Sequence, residues 1–376
     1  MPRLYPNPAQ LRPLHQLDSP REVIRQFTPN WFAVVMGTGI LALALPQLGA
    51  PALGQGLWVA NLLLFALFCV LYALRWLCYF DQARRIFGHA TVSMFIGTIP
   101  MALATLLNGL PSYGVALWGE EVLALMLPVW WLDVALALAC GVGIPYLMFT
   151  RQEHSIDQMT AVWLLPVVAA EVAAASGGLM IPLLPPTDAY VVLITSYVLW
   201  ACSVPVALSI LVILLLRMAV HKLPTPNMAA SSLLALGPLG TGALGLLLLG
   251  DDASTVFAAQ GLAGVGAVAQ GLGVMGGLLL WGLGLWWLLL ALLILGRYLR
   301  DGIPFNLGWW AFTFPLGVYA LATLKLAEVL ELVFFSLFGQ VLVVALTLLW
   351  LLVMSSTLRG AWRGELFNAP CLEAVR

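Results

Sequence analysis

Very few side chains in this sequence are equipped for chemistry, and most of them stand alone. Glu171 sits within LPVVAAEVAA (165–174), an acid among alanines and valines that could take up a proton together with a substrate. Its structural alternative is a helix-to-helix hydrogen bond, for which the equally isolated Asp133 is the candidate partner. Lys325 and Glu328 lie three residues apart in ATLKLAE (322–328), a spacing that sets an ammonium and a carboxylate on one helix face. His15, His89, His154 and His221 are dispersed and form no metal-ligand spacing, and no glycine-rich phosphate loop occurs. No metal, cofactor or enzymatic activity is expected. Cys69, Cys78, Cys140 and Cys202 fall in apolar runs, which fits small buried hydrophobes better than disulfides.

Composition fixes the elements that must position these groups. Of 376 residues, 62% are hydrophobic and 9% charged, against about 25% charged in a soluble domain. The sequence is that of an all-α polytopic membrane protein; its surroundings are a lipid bilayer, and nucleic acid is not an expected partner. At about 20 apolar residues per crossing, spans are expected at 31–48, 57–79, 91–110, 122–149, 159–182, 189–216, 229–249, 262–296, 307–326 and 332–358. The polar, Pro-rich first 25 residues lack an apolar signal segment. A cytoplasmic tail over 1–28, a ten-helix domain over 29–360 and a second cytoplasmic tail over 361–376 follow.

The stretch from Val256 to Gly296, with GLAGVGAVAQGLGVMGG (261–277), is long enough to hide a turn between two spans. Charge decides between the counts. With ten spans and the N-terminus inside, the inner segments hold Arg3, Arg12, Arg21, Arg25, Arg75, Arg84, Arg85, Arg151, Arg217, Lys222, Arg297, Arg300, Arg359, Arg363 and Arg376, and Lys325 alone lies outside. An eleventh span would move Arg297, Arg300, Arg359, Arg363 and Arg376 outside, a much poorer fit to the positive-inside rule. Ten spans with both termini in the cytoplasm, in a cell membrane, are therefore expected. Glu120, Glu121, Asp188, Asp251 and Asp252 read as solvated charges of the outer loops.

A repeat runs through the inside-to-outside helices. MGTGILALA (36–44) and IGTIPMALA (96–104) share one frame, and GPLGTGAL (237–244) and FPLGVYAL (314–321) share another. Gly39, Pro100, Pro166, Pro238 and Pro315 stand at a common depth, 61, 66, 72 and 77 residues apart. Proline in a helix interior removes a hydrogen bond and kinks the helix at about 3 kcal/mol or more. Broken backbone at membrane depth is tolerated where it is buried in protein or lines a water-filled cavity. Five such helices around one axis, with the return helices outside, predict a pore; adjustment of packing alone is the alternative. The prospective lining is small and hydroxyl-bearing, with Gly37, Thr38, Gly97, Thr98, Ser176, Gly240, Thr241 and Thr313, and Glu171 as its one acid. No arginine cluster grips an anion and no carboxylate ring selects a cation. Phe314, immediately before Pro315, either plugs the bore or packs against its neighbours.

NWFAVVMGTGI (30–40), GWWAFTFPL (308–316) and ALATLKLAE (320–328) resemble the tellurite-resistance and dicarboxylate transporter family, which is related to the slow anion channels of plant guard cells. The resemblance spans all ten helices. It implies five helical hairpins in quasi-fivefold order around a central pore, assembly as a homotrimer, and a ninth-helix phenylalanine that occludes the conduit. On this sequence that gate falls on Phe314, with Gly37 beside it. The implied function is passage of small inorganic anions or malate-like C4-dicarboxylates, with tellurite and sulfite among the candidates. The alternative is a proton-coupled dicarboxylate carrier that uses Glu171.

Overall fold

The computed structural model describes residues 12–373, and these are helical without a strand. Arg3 and Arg376 lie outside the described residues. Ten spans cross the molecule: α1 (Pro29–Leu48), α2 (Pro51–Cys78), α3 (Val92–Trp118), α4 (Glu120–Thr150), α5 (Ala161–Leu183), α6 (Pro186–His221), α7 (Pro226–Ala259), α8 (Ala263–Asp301), α9 (Leu307–Leu330) and α10 (Val333–Arg363). The suspected turn near residue 260 is real but marks the α7–α8 junction, where Gly261 takes a left-handed φ of +76°; α8 is one helix. α7 therefore runs ten residues further than the hydropathy suggests, to Ala259, and carries Asp251 and Asp252 with it. Those two acids are not loop residues. Glu120 and Glu121 open α4, and Asp188 sits in the first turn of α6.

Odd and even helices have different surroundings. The odd spans are 72% to 94% buried with mean hydropathy 1.3 to 1.9, and the even ones are 17% to 39% buried and more apolar, at 2.1 to 2.6. Each odd helix packs on the next, α1 on α3, α3 on α5, α5 on α7 and α7 on α9, and α9 packs back on α1 to close a ring. Each even helix follows its odd partner and also touches the next odd one, so it covers a groove on the outside of the ring. Small residues permit the close approach that membrane helices need: a Cβ on Gly240 of α7 would meet the Tyr319 backbone of α9 at 2.7 Å, and one on Gly97 of α3 would meet the Leu165 carbonyl of α5 at 2.4 Å.

The breakers do not kink continuous helices. All five odd spans open with a 3-10 segment, Pro29–Trp31, Val92–Gly97, Ala161–Leu164, Pro226–Leu233 and Leu307–Phe312, and the α-helical part begins at Phe32, Thr98, Leu165, Leu236 and Phe314. Pro100, Pro166, Pro238 and Pro315 each fall within the first three residues of that α-helical part. There the amide that proline lacks would have had no helical partner, so the break removes no hydrogen bond. Gly39 differs: it lies inside the α-helical part of α1, and a Cβ there would collide with Thr105 of α3 at 2.1 Å. It is a packing glycine. The cysteines also depart from expectation: none of those described is disulfide-bonded, but only Cys140 of the four is buried, while Cys78 and Cys202 are exposed on the outer helices.

One polar contact recurs around the ring. Each even helix carries a tryptophan whose indole N–H donates to the following odd helix: Trp58 to the Leu106 carbonyl (3.0 Å), Trp130 to Ala173 (2.8 Å), Trp200 to Gly242 (2.9 Å), Trp281 to the Thr323 hydroxyl (2.9 Å) and Trp350 to the Thr38 hydroxyl (3.0 Å). Replacing Trp130 or Trp281 with Phe keeps a ring and deletes the donor. Each change is expected to lower unfolding free energy by about 1 kcal/mol, and the two should add because they serve different helix pairs. The same change at Trp286, half exposed on α8, should leave the unfolding midpoint in detergent unchanged.

Candidate functional site

Two cavities lie on the axis of the ring. The larger, about 490 Å³, opens where the odd helices begin and is lined by their first turns, including Asn30 of α1, Thr91 and Thr98 beside and within α3, Val162 of α5, Asn227 and Ser231 of α7, and Asn306 at the start of α9. Met36, Leu165 and Leu234 form its floor and also bound the smaller void beneath, about 10 Å³, which Met101, Leu164, Val168, Gly237, Pro238, Phe314 and Pro315 complete. All five odd helices thus contribute to both. A void that small holds at most one water. Phe314, 2% exposed, bounds this void together with methionine and leucine side chains.

The electrostatics of the vestibule come from backbone. Five helix N-termini surround it, each carrying roughly +0.5 charge. Among the described residues that line it there is no Lys, Arg or His, and Glu365, from the chain after α10, is the one charged side chain. Local caps shape the helix starts: Asn306 Oδ1 accepts from Gly308 N (2.8 Å), and His89 Nδ1 accepts from Thr91 and Val92 N (3.1 and 3.2 Å). Burial holds His89 below the usual histidine range, which favours its neutral, accepting form.

Of the residues singled out in the sequence, Thr98, Pro238, Phe314 and Pro315 line these cavities. Gly37 lies against Trp310 and Thr313, admitting α1 to the turn that carries Phe314. Gly97 and Gly240 are contacts between helices, Thr38 meets Trp350, and Thr313 donates to the Trp310 carbonyl (2.8 Å). Thr241 is buried with its hydroxyl unpaired, and Ser176 donates to Val172 of its own helix. Pro100 and Pro166 stand outside the lining of both cavities. Glu171 Oε2 shares the Ser203 hydroxyl of α6 (3.1 Å) with the nearer Val167 carbonyl (2.9 Å), its Oε1 has no partner, and the residue is likewise outside that lining. Asp133, fully buried on α4, has no partner on either oxygen, so the two acids do not pair with each other. Sequence reasoning missed the apolar collar of Met36, Met101, Leu165 and Leu234. It also missed the asparagines at the helix mouths, for which TPN at 28–30 and again at 225–227 was an available signal.

Lys325 lies near the far end of α9, and its Nζ sits 2.8 Å from both Glu328 Oε1 and Asp251 Oδ2. The second contact joins α9 to α7. The ammonium side chain is 12% exposed, so it bridges helices as well as reaching toward the interface.

Comparison with known proteins bears on this arrangement. The voltage-dependent anion channel family (SLAC1) matches residues 26–358. The sulfite efflux pump SSU1 of Arthroderma benhamiae is 37% identical over 353 residues, 92% of this chain and 93% of that protein. The counterpart in Trichophyton rubrum has the same identity and coverage. The malic acid transport protein of Schizosaccharomyces pombe is 22% identical over 90% of this chain and 79% of its own length.

A double-mutant cycle tests the α7–α9 bridge. Lys325→Met and Asp251→Asn should each lower the thermal midpoint, and the pair should be coupled by about 1 kcal/mol. Because the ammonium is largely shielded, the coupling should persist in high salt; its disappearance there would mark an ordinary screened surface pair.

Proposed function

Because the chain belongs to the voltage-dependent anion channel (SLAC1) family, we propose that it passes small anions along the axis of the odd-helix ring, with Phe314 as the gate. The observation that carries this reading is the convergence of five helix N-termini on one vestibule that has no cationic side chain in its described lining. Backbone dipoles attract an anion without gripping it, which suits passage. Beneath the vestibule the collar of Met36, Met101, Leu165, Leu234 and Phe314 offers nothing to replace the water around an ion. Burying an unpaired charge there is prohibitive, so the path is shut until the benzyl group moves aside.

The substrate class favoured here is the oxyanion exemplified by sulfite, on the strength of relatives named for sulfite efflux along nearly their whole length. The vestibule is roomy enough for a C4-dicarboxylate, and the malic acid transporter supports that as the further class. Tellurite belongs with the same small oxyanions. The distribution of Lys and Arg supports a cell membrane with both termini in the cytoplasm, so the vestibule opens inward. The family resemblance supports a homotrimer. A proton-coupled carrier would need Glu171 to meet the substrate, and Glu171 lies outside the lining of both cavities.

Flux assays in proteoliposomes test both points. Phe314→Ala should raise chloride and sulfite flux strongly with anion-over-cation preference kept. Phe312→Ala should not, because Phe312 packs on Trp309 (centroids 5.7 Å apart) and lines neither cavity. The reverse pattern would assign the wrong face of α9 to the path. Glu171→Gln should retain flux; loss to background in a folded protein would transfer the function to the carrier mechanism.

A further inference from the structure

The chain does not leave the ring after α10. Gly364, in the left-handed region at φ +87°, turns it back: Gly364 N donates to the Ala361 carbonyl (3.1 Å) and Glu365 N to that of Gly360 (3.0 Å), a paired C-terminal cap that reverses direction sharply. The following residues run over the vestibule, where Glu365, Leu366, Asn368 and Pro370 form part of its wall. Three contacts fasten this stretch near the mouth of α1. The Phe367 ring stacks on Trp31 (centroids 4.9 Å, planes 22° apart), Ala369 N donates to Gln26 Oε1 (3.2 Å), and Arg75 Nη2 donates to Cys371 Sγ (3.5 Å). Ala369 and Cys371 are buried. The N-terminal stretch braces the turn from the other side, with Leu14 N on the Trp362 carbonyl and Gln16 Nε2 on Glu365 Oε1 (3.0 Å).

We propose that residues 365–371 are an autoinhibitory strap that narrows the vestibule and places a carboxylate in the approach of incoming anions. This rests on reading the vestibule as the anion's entrance. Two features make the strap a regulator and not a mere tail. Glu365 is the one charge among otherwise neutral lining groups and has the sign that repels the substrate, while its ion-pair partner Arg363, 3.4 Å away, stands outside that lining. The strap's attachment is also short, one aromatic stack, a few hydrogen bonds and the packing of Leu366, Ala369 and Cys371, whereas each helix of the ring is packed along its length. Segments held by few contacts open locally at far lower cost than the core. Release of the strap would widen the mouth and remove the carboxylate together.

The test uses the Phe314→Ala protein, in which the seal below no longer limits flux. Chloride efflux from proteoliposomes is compared with and without residues 365–376, and truncation should raise it several-fold. Glu365→Gln, which leaves the strap docked, should raise it less, and that increment should vanish in high salt because it is electrostatic. Unchanged flux in a truncated protein with native helicity and elution overturns the strap. Failure of Phe314→Ala itself to conduct overturns the pathway reading instead. Should truncation prevent folding, Phe367→Ala serves in its place, with Ser231→Cys in the vestibule as reporter. A charged, membrane-impermeant thiol reagent should then modify position 231 about tenfold faster, equivalent to loss of about 1.4 kcal/mol of stacking. An unaltered rate of modification, read by mass spectrometry of the peptide carrying that position, also overturns the proposal.

Discussion

Hydrocarbon supplies no partner for a main-chain amide, so a membrane helix can be interrupted only where its polar groups are satisfied or were never engaged. The ring of odd helices follows from that constraint. At Pro100, Pro166, Pro238 and Pro315 the interruption coincides with the first turn of an α-helix, where the absent N–H would have been idle. The 3-10 segments before them narrow the helices as they approach the axis, and the side chains at or close to these junctions meet there. Leu165 and Phe314 are the first residues of their α-helical parts, and Met101 stands three residues past the start of its own. The apolar collar is thus a product of where the backbone changes its winding.

The same constraint explains the tryptophans. An indole N–H facing lipid would be wasted, and each of the five instead reaches across to the next hairpin. The bonds run between successive hairpins and not within them, and the last, from Trp350 to Thr38, joins the end of the chain to its beginning. A net contribution of about 1 kcal/mol apiece is modest. Their larger effect is on register, since an indole reaches its acceptor at only one sliding position of the two helices.

Charge is handled sparingly throughout. The field in the vestibule comes from helix ends, and no lysine or arginine is among its described lining residues. Glu171 lies beside Ser203, away from the axis cavities, and the Lys325 ammonium near the far end of α9 is matched by Asp251 and Glu328. Asp133 remains without a described partner on α4, and nothing in the structure explains it.

By itself the sequence determined the number of spans, their order, and which set is inner, because hydropathy, the lysine and arginine distribution, and the recurrence of Gly and Pro at one depth are properties of the chain alone. The T-P-N repeat and the methionines of the quoted frames were also in plain view, unread as a mouth and a collar. What only the tertiary structure decided is which face of each inner helix meets the axis. In a soluble protein the apolar stripe marks the buried face, but here lipid-facing, neighbour-facing and axis-facing positions are all apolar, so periodicity carries no such mark. Thr38 and Thr98, alike in their repeat frames, therefore end up against Trp350 and in the vestibule respectively. Likewise Asp251 joined Lys325, Glu171 found Ser203, and residues 365–371 folded back over the mouth, since each depends on a partner far away in sequence that packing alone brings near.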